Sequence, residues 1–117
     1  LEKLQQLPGV SLIDSTEGTA VILPTAYTHN RPIWNQFTLR VKGGRRDQLK
    51  EHLANQGIAS EIYYPVALPQ QECFKAISEG EFDVTEQLAM EVLSIPIYPE
   101  LKEEQLDAVV RAIASFL

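Results

Sequence analysis

The strongest constraint on this chain lies between Ile33 and Tyr64, where the hydrophobic period changes twice. From Ile33 to Val41, Phe37, Leu39 and Val41 alternate with Gln36, Thr38 and Arg40, the period of two expected of a strand with one buried face. Gly43-Gly44 reads as a turn. From Asp47 to Gln56 the pattern is helical: Leu49 and Leu53 fall four apart, Asp47 suits the positive amino end, and Gly57 can take the left-handed closing position. Ala59 to Tyr64 reads as a second strand, broken by Pro65, which has no N–H for a sheet ladder. The middle of the chain is therefore strand, helix, strand, and the flanks must pack around it.

On the amino-terminal side, Leu1, Leu4 and Leu7 stand at near-helical spacing before Pro8-Gly9. That pattern starts without a cap, as expected of a chain cut from something longer. Val10–Ile13 and Thr19–Leu23 are short β-prone runs joined by a polar turn over Asp14–Gly18, so a hairpin is expected there. Pro24–Pro32 reads as loop. On the carboxy-terminal side, Gln70–Ser78 is expected to form a short helix, and Asp83 with Glu86 has the spacing of a capping box. Leu88, Ala89, Val92 and Leu93 form an apolar stripe, and Ser94–Pro99 must be extended because of its two prolines. A last helix over Lys102–Leu117 carries the stripe Leu106, Val109, Val110, Ile113 and Phe116, with Glu103, Glu104, Asp107 and Arg111 on its wet face. The expected fold is α+β: one domain over residues 1–117, a small mainly antiparallel sheet with helices packed on one face.

Sixteen acidic against ten basic residues give a net charge of −6 and a pI near 4.8. A nucleic-acid footprint needs a concentrated basic surface, and the one dense basic run, Lys42–Arg46, is followed closely by Asp47. Cys73 is the single cysteine, so neither an internal disulfide nor a thiolate zinc site can be built. His29 and His52 lie in different kinds of segment and do not suggest a metal pair. The absence of a long apolar run and of a leader pattern points to a soluble, cytoplasmic protein.

Few side chains stand out chemically. Tyr63 and Tyr64, at a strand end beside a proline loop, are either half-buried sheet aromatics or side chains reaching towards a ligand. Arg40 is expected in a salt bridge on the wetter strand face rather than in an anion site. Trp34 is a core plug or a rim aromatic. His52 is expected to face solvent and not to act as a base, and Met90 to pack or stay exposed.

Three stretches carry a resemblance: Tyr63-Tyr64-Pro65-Val66, Gln71-Glu72-Cys73-Phe74, and Val92-Leu93-Ser94-Ile95-Pro96-Ile97-Tyr98-Pro99-Glu100-Leu101. Together with Asn35–Arg40 and the segment 45–58, their order resembles the C-terminal small domain of the DegT/DnrJ/EryC1/StrS aminotransferases. These are pyridoxal-phosphate enzymes of fold type I that aminate keto sugars on nucleotide carriers, in cell-surface polysaccharide or amino-sugar biosynthesis. The resemblance implies a substrate-side domain that closes one side of the cleft and helps hold the nucleotide sugar. It places Tyr64, Gln71 and Asn35 near that substrate.

The family's large domain is absent from this chain, and with it the lysine that holds the cofactor. None of Lys3, Lys42, Lys50, Lys75 and Lys102 sits in the family's lysine motif. The chain alone is therefore expected to bind no cofactor, to have no catalytic residue and to be inactive, while the parent would hold pyridoxal phosphate and form a homodimer. Two departures matter. The family commonly reads Pro-Leu-His-Leu-Gln after Tyr-Pro-Val, whereas this chain has Pro69 where the histidine would be. Lys102 stands where a threonine often caps the last helix. Two alternatives remain: a stand-alone, non-catalytic interaction module diverged from that domain, and a domain of another fold-type-I pyridoxal-phosphate enzyme. The Tyr-Tyr-Pro and Ser-Ile-Pro-Ile-Tyr-Pro stretches favour the sugar enzymes over the latter.

Overall fold

The computed structural model describes residues 1–14, 17–26 and 28–117. Along the chain, helix α1 (Glu2–Gln5) precedes strands β1 (Val10–Ser11), β2 (Val21–Ile22) and β3 (Phe37–Val41), then helix α2 (Arg46–Asn55). Helix α3 (Asp83–Glu91) runs directly into strand β4 (Val92–Ile95), and helix α4 (Glu103–Phe116) closes the fold. The four strands form one sheet in the order β1-β2-β3-β4.

The alternation in β3 does what its period requires. Phe37, Leu39 and Val41 are buried, and the register opposes Phe37 to Ile95 and Leu39 to Leu93 on the antiparallel neighbour β4. Directly opposed residues share a face, so one side of the pair is wholly apolar. Helix α2 lies on β3 and β4, and α4 packs along α2. Leu49, Leu53, Val109, Ala112 and Ile113 fill the space between helices and sheet. Gly43 and Gly44, both at positive φ (70° and 68°), let the chain turn from β3 into α2. Trp34 lies at the margin of this core, its ring edge-on to Phe37 at 5.5 Å.

The opposite face of the β3–β4 pair is polar and bonded. Thr38 and Ser94 share a hydroxyl hydrogen bond of 2.8 Å. Arg40 reaches Glu91 through Nε (3.0 Å) and Nη2 (2.7 Å), and Asp14 through Nη1 (2.9 Å). Glu91 ends α3, where the helix dipole disfavours a carboxylate, and Arg40 offsets that cost while tying α3 to β3.

Several expectations give way. No hairpin joins the first two strands: β1 pairs with β2 in parallel, Val10 opposite Val21 and Ser11 opposite Ile22. The polar turn expected between them includes Ser15 and Thr16, outside the described residues, as is Tyr27 of the Pro24–Pro32 loop. β3 begins at Phe37 rather than Ile33. The strand expected over Ala59–Tyr64 is a single bridge, Glu61 to Ser94, because Pro65 follows too soon for a ladder to grow. Instead of a helix over Gln70–Ser78 there is a 3-10 turn, Leu68–Gln70, followed by successive turns. Asp83 is the first helical residue and not a cap. The apolar stripe expected on α3 splits, Ala89 on the helix and Leu93 in β4, because the chain changes conformation at Val92. At the start of α4, the Lys102 N–H donates to Gln105 Oε1 (2.9 Å), so half of a reciprocal cap survives without the threonine.

His52 does not face solvent. Its Nε2 lies 3.0 Å from both the Ala112 carbonyl and Ser115 Oγ, and its ring is 5.6 Å from that of Phe116. It clasps α2 to α4, a structural role.

Glu91→Ala should cost roughly 1–3 kcal/mol, less than a fully buried pair because Asp14 remains beside Arg40. Urea unfolding checks this, and adding Arg40→Met should recover part of the loss. Equal costs with and without Arg40 would show that the pair is not coupled.

Surface charge pairs set a pH dependence. The hydrogen bond from Lys42, and then that from Arg40, hold the Asp14 carboxyl below the ordinary carboxylate value. That from Lys3 does the same for Asp107, whose partner Lys3 is raised above the ordinary lysine value. The carboxylate contribution is complete above the ordinary carboxylate value and is lost as pH falls through the lowered ones. The Lys3 contribution is complete below the ordinary lysine value and is lost as pH rises through the raised one. The urea midpoint should therefore be level near neutrality and fall in acid, and Asp14→Asn with Asp107→Asn should flatten that acid limb.

Candidate functional site

The segment after the Glu61–Ser94 bridge is short, proline-bearing and anchored at two points. Glu61 exchanges both backbone hydrogen bonds with Ser94 (2.9 and 2.8 Å), which fixes the chain just before the two tyrosines. Ala67 is buried, pinning the far side of the turn. Between the anchors Tyr63 and Tyr64 stand 54% and 66% exposed, outside the sheet rather than within it. After the 3-10 turn, the Gln71 carbonyl accepts from the N–H groups of Phe74 (2.9 Å) and Lys75 (3.1 Å), holding that residue in place.

This arrangement brings Tyr64 and Gln71 together. Both line a concavity of about 410 Å³ with Tyr63, Val66, Gln70 and Glu72. Asn35 lies elsewhere, in a neighbouring concavity of about 270 Å³ with Gln36, Ser60, Tyr63, Ser94 and Tyr98. Tyr63 borders both. Of the three residues singled out in the sequence, two therefore share a site and the third faces an adjacent one. Ser60 and Tyr98 were not singled out. A tyrosine held between Pro96 and Pro99 is a readable signal of a rigidly presented ring, but nothing local marks Ser60.

Chemically the Tyr64–Gln71 concavity offers a phenol, amides and the Glu72 carboxylate, a set that binds and orients polar groups and lacks a nucleophile paired with a base. A lysine bound covalently to a cofactor must be desolvated, and none here is. Lys3 is paired with Glu103 and Asp107, Lys42 with Asp14, Lys50 with Glu61 and Lys75 with Glu72, while Lys102 is exposed. The Asp107 and Glu103 hydrogen bonds raise the Lys3 pKa, opposite to what an amine nucleophile needs. Among the described residues no group of three or more His, Cys, Asp and Glu is placed to hold a metal ion, and no helix is long and apolar enough to cross a membrane.

The chain is similar to known proteins over most of its length. The family model described as the DegT/DnrJ/EryC1/StrS aminotransferase family matches residues 3–114. A protein named "Pleiotropic regulatory protein" from Geobacillus stearothermophilus is 38% identical over 107 residues, covering 90% of this chain and 28% of its own length. A UDP-N-acetyl-3-dehydro-alpha-D-glucosamine 3-aminotransferase from Acidithiobacillus ferrooxidans is 40% identical over 90 residues, covering 77% of this chain and 23% of its own. Among solved structures, S. venezuelae DesV in complex with a ketimine intermediate superposes with a TM-score of 0.81 at 30% identity, over 99% of this chain and 28% of that one. The chain thus spans about a quarter of the length of these proteins.

Leu68 and Ile77, 59% and 74% exposed, line one concavity with Phe74 and Phe82. Side chains of this kind in one region favour association. The chain should therefore self-associate as its concentration rises, and Leu68→Asp with Ile77→Asp should weaken that. Light scattering that reports a strict monomer over a wide concentration range would contradict it.

Proposed function

The chain belongs to the DegT/DnrJ/EryC1/StrS aminotransferase family, and on that premise we propose that it is the C-terminal small domain, on the substrate side, of a longer pyridoxal-phosphate enzyme. That enzyme transfers an amino group to a keto sugar carried on a nucleotide and works in the cytoplasm as a homodimer, in amino-sugar or cell-surface polysaccharide biosynthesis. The observation that supports this most is the shared concavity of Tyr64 and Gln71 on a loop anchored at Glu61 and Ala67. The relatives' names and the quarter of their length that the chain spans point the same way.

The residues present do not fit pyridoxal phosphate, because every lysine is paired on the surface or exposed. The cofactor and its chemistry therefore belong to the large domain, and this domain's part is binding. The Tyr64 hydroxyl and the Gln71 amide can each donate and accept, so they can hold sugar hydroxyls in one orientation at the mouth of the cleft. Asn35 adds a contact from the neighbouring concavity. Pro69 neither donates a hydrogen bond nor titrates, so any step that uses the family histidine must be supplied differently or be absent. That departure, and the regulatory name of the Geobacillus relative, favour a second reading: a non-catalytic interaction module of the same fold.

One experiment separates the two. This chain is grafted onto the large domain of the Acidithiobacillus aminotransferase in place of the matching quarter, and amination of its nucleotide keto sugar is measured. The sugar-enzyme reading expects turnover by the chimera and none by the chain alone, with kcat/KM lowered roughly ten- to a hundredfold by Tyr64→Phe or Gln71→Ala. A folded, cofactor-loaded chimera without turnover, and without gain on Pro69→His, would leave the interaction module.

A further inference from the structure

The 3-10 turn at Leu68–Gln70 and the start of α3 carry a surface of mixed character. Leu68, Phe74, Ile77 and Phe82 line a hollow of about 350 Å³, and Glu79 joins that lining. A second hollow of about 520 Å³ is lined in part by Asp83, Glu86 and the exposed Met90. The two adjoin where Phe82 precedes Asp83 at the first turn of α3 and where Pro69 precedes Gln70 in the 3-10 turn. One continuous face is therefore apolar at one end and acidic at the other.

Charge narrows what could cover it. Between Leu68 and Met90 the chain carries the carboxylates of Glu72, Glu79, Glu81, Asp83 and Glu86 against one cation, Lys75. Lys75 is paired with Glu72 at 3.0 Å, and the other carboxylates have no ion-pair partner among the described residues. Asp83 and Glu86 suit the positive end of α3, a use that Glu79 and Glu81, ahead of the helix, do not have. A face of this sign repels nucleic acid and anionic lipid. A second copy, at a net charge of −6, would set the same carboxylates against its own in a two-fold contact, so that contact is weak. What complements the face is a partner whose apolar side chains are flanked by lysine or arginine. Residues 65–82 form turns and no strand, so an incoming strand has no ladder to join, whereas a helix can seat its side chains there.

We propose that this face docks a basic amphipathic helix of another protein, with its apolar stripe on Leu68, Phe74, Ile77 and Phe82 and its lysines or arginines on Glu79, Asp83 and Glu86. The inference goes beyond the aminotransferase reading and does not depend on it. The apolar hollow supplies most of the affinity, while the carboxylates orient the helix and make its encounter fast and salt-sensitive.

The test is a titration of the isotope-labelled 117-residue chain, followed by amide NMR, with a helical model peptide of leucine and lysine that is apolar on one face, and with its leucine–glutamate counterpart. The expected result is perturbation centred on Leu68, Ile77, Glu79 and Glu86 by the lysine peptide, weakening with added salt, and binding of the glutamate peptide weaker by roughly tenfold or more. Leu68→Ser with Ile77→Ser should weaken binding of the lysine peptide roughly tenfold, and Glu79→Gln with Glu86→Gln about three- to fivefold. Equal binding of the two peptides would overturn the inference, as would no binding, or perturbation spread over the acidic face of α4. Self-association that the lysine peptide fails to displace would give the face to a second copy and overturn it too. The cofactor-loaded chimera should bind the peptide as the chain does, and loss of binding there would give the face to the large domain. None of those outcomes touches the proposed aminotransferase role, which the turnover of the chimera decides.

Discussion

The structure depends on the antiparallel register of β3 and β4. Phe37 opposite Ile95 and Leu39 opposite Leu93 direct four apolar side chains to one face, and Thr38 opposite Ser94 directs two hydroxyls to the other. A slip of one residue would exchange the faces, leaving Leu39 against solvent and Arg40 in the core. The burial of Leu39 and Leu93, both 0% exposed, makes that slip prohibitive. Helix α2 reads the apolar face with Leu49 and Leu53, and α4 follows by packing on α2.

The same register governs the site. Ser94 accepts the Glu61 bridge on the far edge of β4 only because β3 occupies the near edge. One bridge is a weak strand but an adequate anchor, since it fixes the chain two residues before Tyr63. Pro65 then prevents further pairing, so the tyrosines leave the sheet instead of lying in it. Two concavities arise on either side of Tyr63, and the polar side chains within them come from segments far apart in the chain.

Charge is arranged as reinforcement. Arg40 joins the end of α3 to β3 and to Asp14, and Lys3 joins α1 to α4. Exposed pairs of this kind contribute little individually, whereas Glu91, almost wholly buried, needs Arg40 to be tolerated at a helix end. The lysines are all spent on such pairs or left in solvent.

Periodicity by itself determined β3, α2 and α4, because each buries a stripe whose spacing is local and whose partners need only be apolar. Motif order likewise revealed the family, and Tyr64 and Gln71, close in the chain, line one concavity across a turn. Pairing direction was not legible: two-residue strands such as β1 and β2 have no pattern that distinguishes a parallel neighbour from a hairpin. Nor was the role of His52, whose partners Ala112 and Ser115 lie some sixty residues away, or the separation of Asn35 from Tyr64, or the buried hydroxyl of Ser60. Each of these follows from contacts between distant segments, and only the packed chain, with its register set and its faces assigned, decides which distant groups meet.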